Sequence, residues 1–512
     1  MSRQAKTTRR KVAHPYPEIG DYALIGDCHT AALISREASI DWCCMPRFDS
    51  ASVFGRLLDW DRGGHCVIKP ATDDFQSSRS YLQDTLVLAT TFEAPGGEAT
   101  LFDCFTARRG GARRPWRQLL RVVEGVRGTM DLEVLIRPRF DYGGVKPWLR
   151  RHGEGVMSAI AGDDAIVAAG DMDLEIVDRH DLVAAFTIHA GQRRRLSIVY
   201  YSPEDIDPDV PSQPDAEELD RRLEGTTKWW RSWSDKIRIS GPYGPEARRS
   251  AVVLKALVHA PTGAVVAAPT TSLPESIGDE RNWDYRYSWV RDSQFTVRSL
   301  TQLGCMGEAD AFRRFIERSA GGSAESLQIM YGPGGERRLT EIELDLEGYR
   351  GSRPVRVGNA ASQQMQLDVF GYLLDLAWRW HERGRSPDDD YWRFLLGLVD
   401  HAIEHWEEPD CGIWEMRGRP QHFVHSKVMC WAAVDRGIRL ARECLRQAPF
   451  ERWEKEAGRM RRRILRDGYD ETRGVFVQAF ESSELDASLL LLPAYDFIPY
   501  DDERMVRTTD AV

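Results

Sequence analysis

The sequence predicts a multidomain β-plus-α protein, an N-terminal β-sandwich followed by a toroid of paired helices. Three features carry that reading. Short β-like runs recur from Tyr22 to about Ser202, a Pro- and acid-rich break follows, and beyond Pro245 apolar residues recur at helical spacing. At 512 residues the chain also exceeds what a single core serves.

Residues 1–15 read as a disordered basic tail, since MSRQAKTTRRKV is charged and no apolar run follows it. The β-sandwich is expected over 16–205. LVLATTFEA and EATLFDCF joined by PGG read as a hairpin, as do QLLRVVEGV and DLEVLIRP across RGTM, and LVAAFTIHA and RLSIVYYS across GQRR. The run SPEDIDPDVPSQP, with four Pro and four acidic side chains, cannot build a core and opens a linker placed at 206–244. Within that linker AEELDRRLEGTTKWWRSWS reads as a bridging helix. The helical domain is expected over 245–512. Met365, Val369, Tyr372 or Leu373, Leu376 and Trp380 share one helical face, and Trp392, Leu395 or Leu396, Val399, Ile403 and Trp406 share another. Val428, Trp431, Val434 and Ile438 repeat the spacing, as do Trp453, Ala457, Met460 and Ile464. About nine helical segments and no clear strand are expected there, with long loops at one end building a site.

Composition narrows the function. The net charge of −10 argues against a nucleic-acid surface, because phosphate binding needs concentrated positive charge. No apolar run reaches signal-peptide or membrane-spanning length. Nine Cys, an odd number without metal-ligand spacing, read as reduced thiols, and the expected location is the cytoplasm. No motif points to an organic cofactor or a catalytic metal. A small polar substrate fits, with no nucleic-acid or membrane partner, and a homo-oligomer stays open.

Three segments are candidates for chemistry. RNWDYRYSWVRD, Arg281 to Asp292, holds two Trp, two Tyr, three Arg and two Asp. Aromatic faces cover the C–H side of a pyranose while Arg forks and carboxylates fix hydroxyls, so the stretch reads as a sugar subsite or as aromatic packing edged with ion pairs. In CGIWEMRGRPQHFVHSKVMCW, Glu415 follows Trp414 on a loop after Gly412. A carboxyl beside an indole loses solvation and stays protonated near neutral pH, as a general acid must; the alternative is a surface glutamate paired with Arg417. His422, His425 and Lys427 line the same mouth or serve the structure, and two His alone make no metal site. In SRPVRVGNAASQQMQLD, Gly358 permits close backbone approach and Arg356 and Asn359 supply donors. That segment reads equally as a helix entry beginning near Ala361 with Asn359 at the N-cap.

Together the three segments resemble glycoside hydrolase family 15, the glucoamylase, glucodextranase and trehalase group, in its bacterial two-domain form. YRYSWVRDS resembles the family's first subsite motif, which implies that Tyr285, Trp289, Arg291 and Asp292 hold a nonreducing glucose. SRPVRVGNA is similar to the second substrate loop, with Arg353, Arg356 and Asn359 as contacts. GIWE is similar to the loop of the catalytic acid, which implies that Glu415 protonates the glycosidic oxygen, with Trp414, His425 and Lys427 beside it. The opening IGDCHTAALISREASIDWCCMPRFDSASVFGRLLD and the late LDASLLLLP extend the resemblance over nearly all of 16–512.

What the resemblance implies is an (α/α)6 toroid and an inverting mechanism, in which a second carboxylate activates water from the opposite face. The family's base lies in a late loop. Here the chain stops at Val512 before that segment, so the toroid is expected to lack its last helices, on the order of 80 to 100 residues. Glu484 and Asp486 sit in the wrong motif to replace the base. The expected activity is release of glucose from α-glucosides, trehalose first and maltooligosaccharides close behind, with negligible turnover in a 512-residue form lacking the base. An inverting phosphorylase, in which phosphate replaces the activated water, and a noncatalytic sugar-binding remnant are the alternatives.

Overall fold

The computed structural model describes residues 16–153, 155–206 and 209–512. The basic tail expected over 1–15 and the linker positions Asp207 and Pro208 lie outside the described residues. The chain divides into two compact units. The first runs to Ser232 and includes Thr270–Asp284 and Ile342–Val357; the second comprises Trp233–Pro269, Tyr285–Glu341 and Gly358–Val512.

The first unit is antiparallel sheet organised on one long strand, β1 (Gln118–Arg137). Its first half pairs with Gly97–Phe105 and Arg193–Tyr201, and its second half with His65–Pro70 and Asp181–His189. The core between the two sets of strands holds Ile40, Phe54, Phe92, Phe105, Ile136, Ile166 and Ile198. The expected hairpin of Leu88–Ala94 and Gly97–Phe105 is present, closed by Ala94 opposite Gly97.

Two other expected hairpins are not. QLLRVVEGV and DLEVLIRP are one continuous strand, because RGTM crosses between the two halves in extended pairing, with Gly128 (φ +63°) packed on the Gly96 carbonyl. Asp181–His189 and Arg193–Tyr201 are consecutive but do not pair with each other; each takes a different half of β1. A turn-like stretch of exposed residues marks a change of sheet here, not a chain reversal. The segments from the second half of the sequence add the strand pair Ile342–Leu344 and Val355–Val357, and their Leu346, Tyr349 and Val355 pack with Tyr16, Trp42 and Leu58.

The expected bridging helix is α1 (Ala216–Ser234). The other long helices are α2 (Gly244–Ala256), α3 (Val290–Gln302), α4 (Met306–Ser319), α5 (Asp368–His381), α6 (Asp389–His405), α7 (Val424–Glu443), α8 (Phe450–Asp467) and α9 (Glu503–Ala511), with a long 3-10 helix at Ala487–Tyr495. α5 and α7 are buried on nearly every side and pack on each other, whereas α8 buries only Trp453, Met460 and Ile464. Gly371 lets the two inner helices approach: a Cβ there would lie 2.4 Å from the Met429 carbonyl oxygen. Met365 precedes α5 and is exposed, so the face inferred from it begins one turn later. Short strands do occur in this unit, Ser288–Trp289 with Met330–Tyr331 and Tyr469–Asp470 with Val475–Phe476. Two-residue ladders are set by tertiary contact and leave no periodic trace.

α6 starts on an Asp388 cap whose carboxylate accepts the Tyr391 N–H at 2.8 Å, followed by Asp389 and Asp390 at the positive end of the helix dipole. Asp388→Ala is expected to destabilise the protein by about 1 kcal/mol. Urea unfolding that leaves the midpoint unmoved would show that the cap contributes nothing.

Candidate active site

The stretch before α3 is extended, held by Ala268 N–H to the Tyr285 carbonyl (2.9 Å), Ala267 N–H to the Tyr287 carbonyl (3.0 Å) and Val290 N–H to the Ile329 carbonyl (2.9 Å). Trp289 occupies the N-cap position, so Arg291 and Asp292 fall in the first helical turn, where a carboxylate is favoured. Tyr285 and Trp289 lie with ring centroids 5.9 Å apart, tilted by 44°. Trp289 is buried and Tyr285 half-buried. The four residues expected to hold a glucose ring are therefore one contiguous patch.

Arg291 ties that patch to the loop 124 residues downstream. Its Nε and Nη2 donate to Asp292 Oδ2 at 3.0 and 2.9 Å, and its Nη1 donates to the Ile413 carbonyl and to Glu415 Oε1 at 3.3 Å. Burial works against the guanidinium charge, but Asp292 and Glu415 outweigh it and hold its pKa above the usual value.

The loop is tight. Asp410 and Gln421 exchange both backbone hydrogen bonds at 2.9 Å, Glu415 N–H reaches the Gly412 carbonyl at 3.1 Å, and Met416 N–H the Cys411 carbonyl at 3.0 Å. Gly412 has φ +67°, and a Cβ there would meet the Phe423 ring at 2.6 Å. Glu415 itself sits at φ +56°, a left-handed conformation that a non-glycine residue adopts only where the surroundings enforce it. Its side chain is 19% exposed. Burial raises its pKa above the ordinary value, Arg291 pulls the other way, and Asp292 adds to the rise. A half-buried carboxyl whose pKa is raised in this way is suited to general acid catalysis.

The expected cause of that shift needs correction. Trp414 is 56% exposed and gives its indole N–H to the Asp486 carboxylate at 3.0 and 2.9 Å. The indole that bears on the Glu415 carboxylate is that of Trp289, and it lowers the pKa against the rise that burial causes. Arg417 is no partner for Glu415 either; it pairs with Glu341 at 3.0 Å.

Beneath Arg291 lies a buried polar floor that the sequence did not disclose. Asp368 opens α5, and its Oδ2 has no hydrogen-bond partner among the described residues and lies 4.0 Å from His425 Nδ1. Burial, then the nearby Asp410, pushes the Asp368 carboxyl up to about 7, against the pull of Arg291. Burial lowers His425 to about 4, so its ring is neutral. Both His425 ring nitrogens are buried without hydrogen-bond partners among the described residues, and the buried Tyr372 and Ser426 hydroxyls bear on the Asp368 and Asp410 carboxylates. Such capacity suits a ligand rich in hydroxyls. The signal was present in QLDVFGYLLD, an acid at a helix start whose neighbours are apolar on every face.

Other expected site residues serve locally. Lys427 is buried and donates from Nζ to the Glu408 carbonyl, bracing the entry to the loop, and burial lowers its pKa. His422 stacks on Phe480 with centroids 5.9 Å apart. Asn359 caps a 3-10 turn, Ala360–Gln363, by accepting the Ala361 N–H at 2.9 Å, so the α-helix expected near Ala361 begins at Asp368 instead. Arg353 and Arg356 belong to the first unit. Arg356 lies over Trp283 at 4.4 Å and donates to the Glu280 carbonyl at 2.7 Å, while Arg353 is exposed with Nε 3.4 Å from the Glu347 carbonyl. Asp486 accepts from Trp414, from Gln478 Nε2 at 2.9 Å and from Ser488 N–H at 2.6 Å; burial resists its charge, but these bonds hold its pKa below the usual range.

A carboxyl of raised pKa held by an arginine, beside an aromatic and carboxylate patch in a helical unit that follows an antiparallel sheet unit, is the arrangement of a glycoside hydrolase. Residues 246–512 match the glycosyl hydrolases family 15, and residues 11–228 match the domain described as trehalase-like, N-terminal. A trehalase of Mycolicibacterium smegmatis is 38% identical over 98% of this chain and 77% of its own length. One of Mycobacterium tuberculosis is 38% identical over 99% and 77%, and one of Thermoplasma volcanium 32% identical over 97% and 78%. The chain belongs to glycosyl hydrolase family 15. No helix among the described residues is long and apolar enough to cross a membrane.

Proposed function

We propose that the protein hydrolyses α,α-trehalose with inversion, with Glu415 as the general acid. The observation that carries this reading is the chain Asp292, Arg291, Glu415, at 2.9 and 3.3 Å, which couples the aromatic and carboxylate stretch to a carboxyl whose pKa burial raises. Tyr285, half-buried, offers an apolar face to the glucose ring with the buried Trp289 packed against it, and Asp292 accepts from its hydroxyls. Glu415 gives its proton to the bridging oxygen as the anomeric C–O bond breaks, and Arg291 offsets the charge that Glu415 then acquires. We assign the exposed indole of Trp414 to the leaving glucose. Asn359 remains assigned to the second substrate loop, and we assign His425 to the floor and not to the leaving oxygen. Inversion requires a second carboxylate roughly 6.5 to 9.5 Å from the acid to admit a water, and we assign that role to no described residue.

Trehalose is chosen because relatives 32% to 38% identical over nearly the whole chain are trehalases. The full-length protein is expected to release glucose from trehalose faster than from maltotriose, and the first-formed glucose is expected to contain the β anomer by proton NMR. Release from maltotriose alone would overturn the substrate, and exclusively α-glucose would overturn the stereochemistry.

A further inference from the structure

α6 carries a second cluster, apart from the site above. His401, Glu404 and His405 stand at i, i+3 and i+4, so their side chains share one helix face. One donor atom from each lies within 4.8 Å of the others. His405 shares Nδ1 with Glu408 Oε1 at 2.8 Å, which fixes its tautomer and leaves the Nε2 lone pair for a ligand. The two rings lie 4.2 Å apart, and His401 also meets the Phe370 ring at 5.2 Å, so packing restrains both. Glu404, Glu325 and Glu408 add negative charge around His401, and the Arg452 contact to Glu404, at 3.9 Å, is too long and exposed to compete strongly.

We propose that His401, Glu404 and His405 bind a divalent transition-metal ion of the zinc, copper and nickel class, with Glu408 orienting His405. Two imidazoles with one carboxylate favour these ions over magnesium or calcium, which take oxygen ligands. The ion staples the last turn of α6. That turn leads to Glu408, whose carbonyl is held by Lys427, so occupancy steadies the chain entering the loop of Glu415 without touching the reaction.

The test uses full-length protein stripped with a chelator and titrated with Zn²⁺ by calorimetry. One ion per chain and a higher Tm are expected, with His401→Ala plus His405→Ala abolishing both while leaving trehalose hydrolysis unchanged. Glu408→Gln is expected to weaken binding about 10- to 100-fold. Unchanged Zn²⁺ affinity in the double variant, or no binding by the wild type, would overturn the site. Paramagnetic resonance of the Cu²⁺-loaded wild type gives an answer independent of variant folding: two coordinated imidazole nitrogens are expected, and fewer would overturn it.

Discussion

Glu415→Gln is expected to lower kcat for trehalose by about 10²- to 10⁴-fold, roughly 3 to 5 kcal/mol in the barrier, because the bridging oxygen then leaves without its proton. Gln preserves the shape of the side chain and an oxygen for the Arg291 Nη1 hydrogen bond, so the patch of Tyr285, Trp289, Arg291 and Asp292 keeps its geometry. Ligand binding should therefore survive, as read by calorimetry with trehalose. The specific signature is the leaving group. Glucosyl fluoride departs as fluoride and needs little protonation, so its hydrolysis should fall far less than that of trehalose. Equal losses on both substrates would mean that the substitution damages the site generally. An undiminished rate on trehalose would remove Glu415 from the acid role altogether.

The site was legible where chemistry and spacing coincide. Arg291 and Asp292 stand next to Trp289 in sequence, and an aromatic, arginine and carboxylate set needs no fold to suggest a sugar. The pairing of Arg291 with Glu415 could be reached only through the resemblance to a family, since nothing local links residues 124 apart. The indole acting on Glu415 was misread for the same reason: Trp414 is adjacent in sequence, but successive side chains on a turn diverge, and Trp289 arrives from another segment. Helices were legible because their apolar residues recur at 3.6-residue spacing, which α6 and α8 keep in their burial while α5 and α7 are buried all round. β1 was not, because its exposed middle, Val126 to Thr129, has the composition of a turn while its pairing carries the strand straight through. Asp368 escaped because a buried acid on an apolar helix gains its meaning from groups on other segments, Asp410, His425 and Arg291.

Asp368→Asn is expected to make the protein more stable than wild type at pH 8 and nearly equal to it at pH 5. Burial, then Asp410, raises the Asp368 carboxyl from 3.8 to about 7. The native state therefore holds this proton more tightly than the unfolded chain does. The resulting stability is fully present below the unfolded value near 4 and is lost as pH rises through about 7. At 1.36 kcal/mol per pH unit the interval corresponds to about 4 kcal/mol, an upper figure for a group 1% exposed. Asn has no proton to lose and keeps the neutral form at every pH. His425, lowered to about 4, acts on the other side: its stability is present above the ordinary 6.5 and lost as pH falls through about 4, and the substitution leaves that limb in place. Catalysis supplies a second readout. Glu415 raises Asp368, so by reciprocity an ionised Asp368 raises Glu415, and Asp368→Asn should move the basic limb of the kcat profile to lower pH. Superimposable stability and rate profiles for the two proteins would mean that Asp368 is already ionised across this range, and the floor would then have to balance its charge by some other pairing.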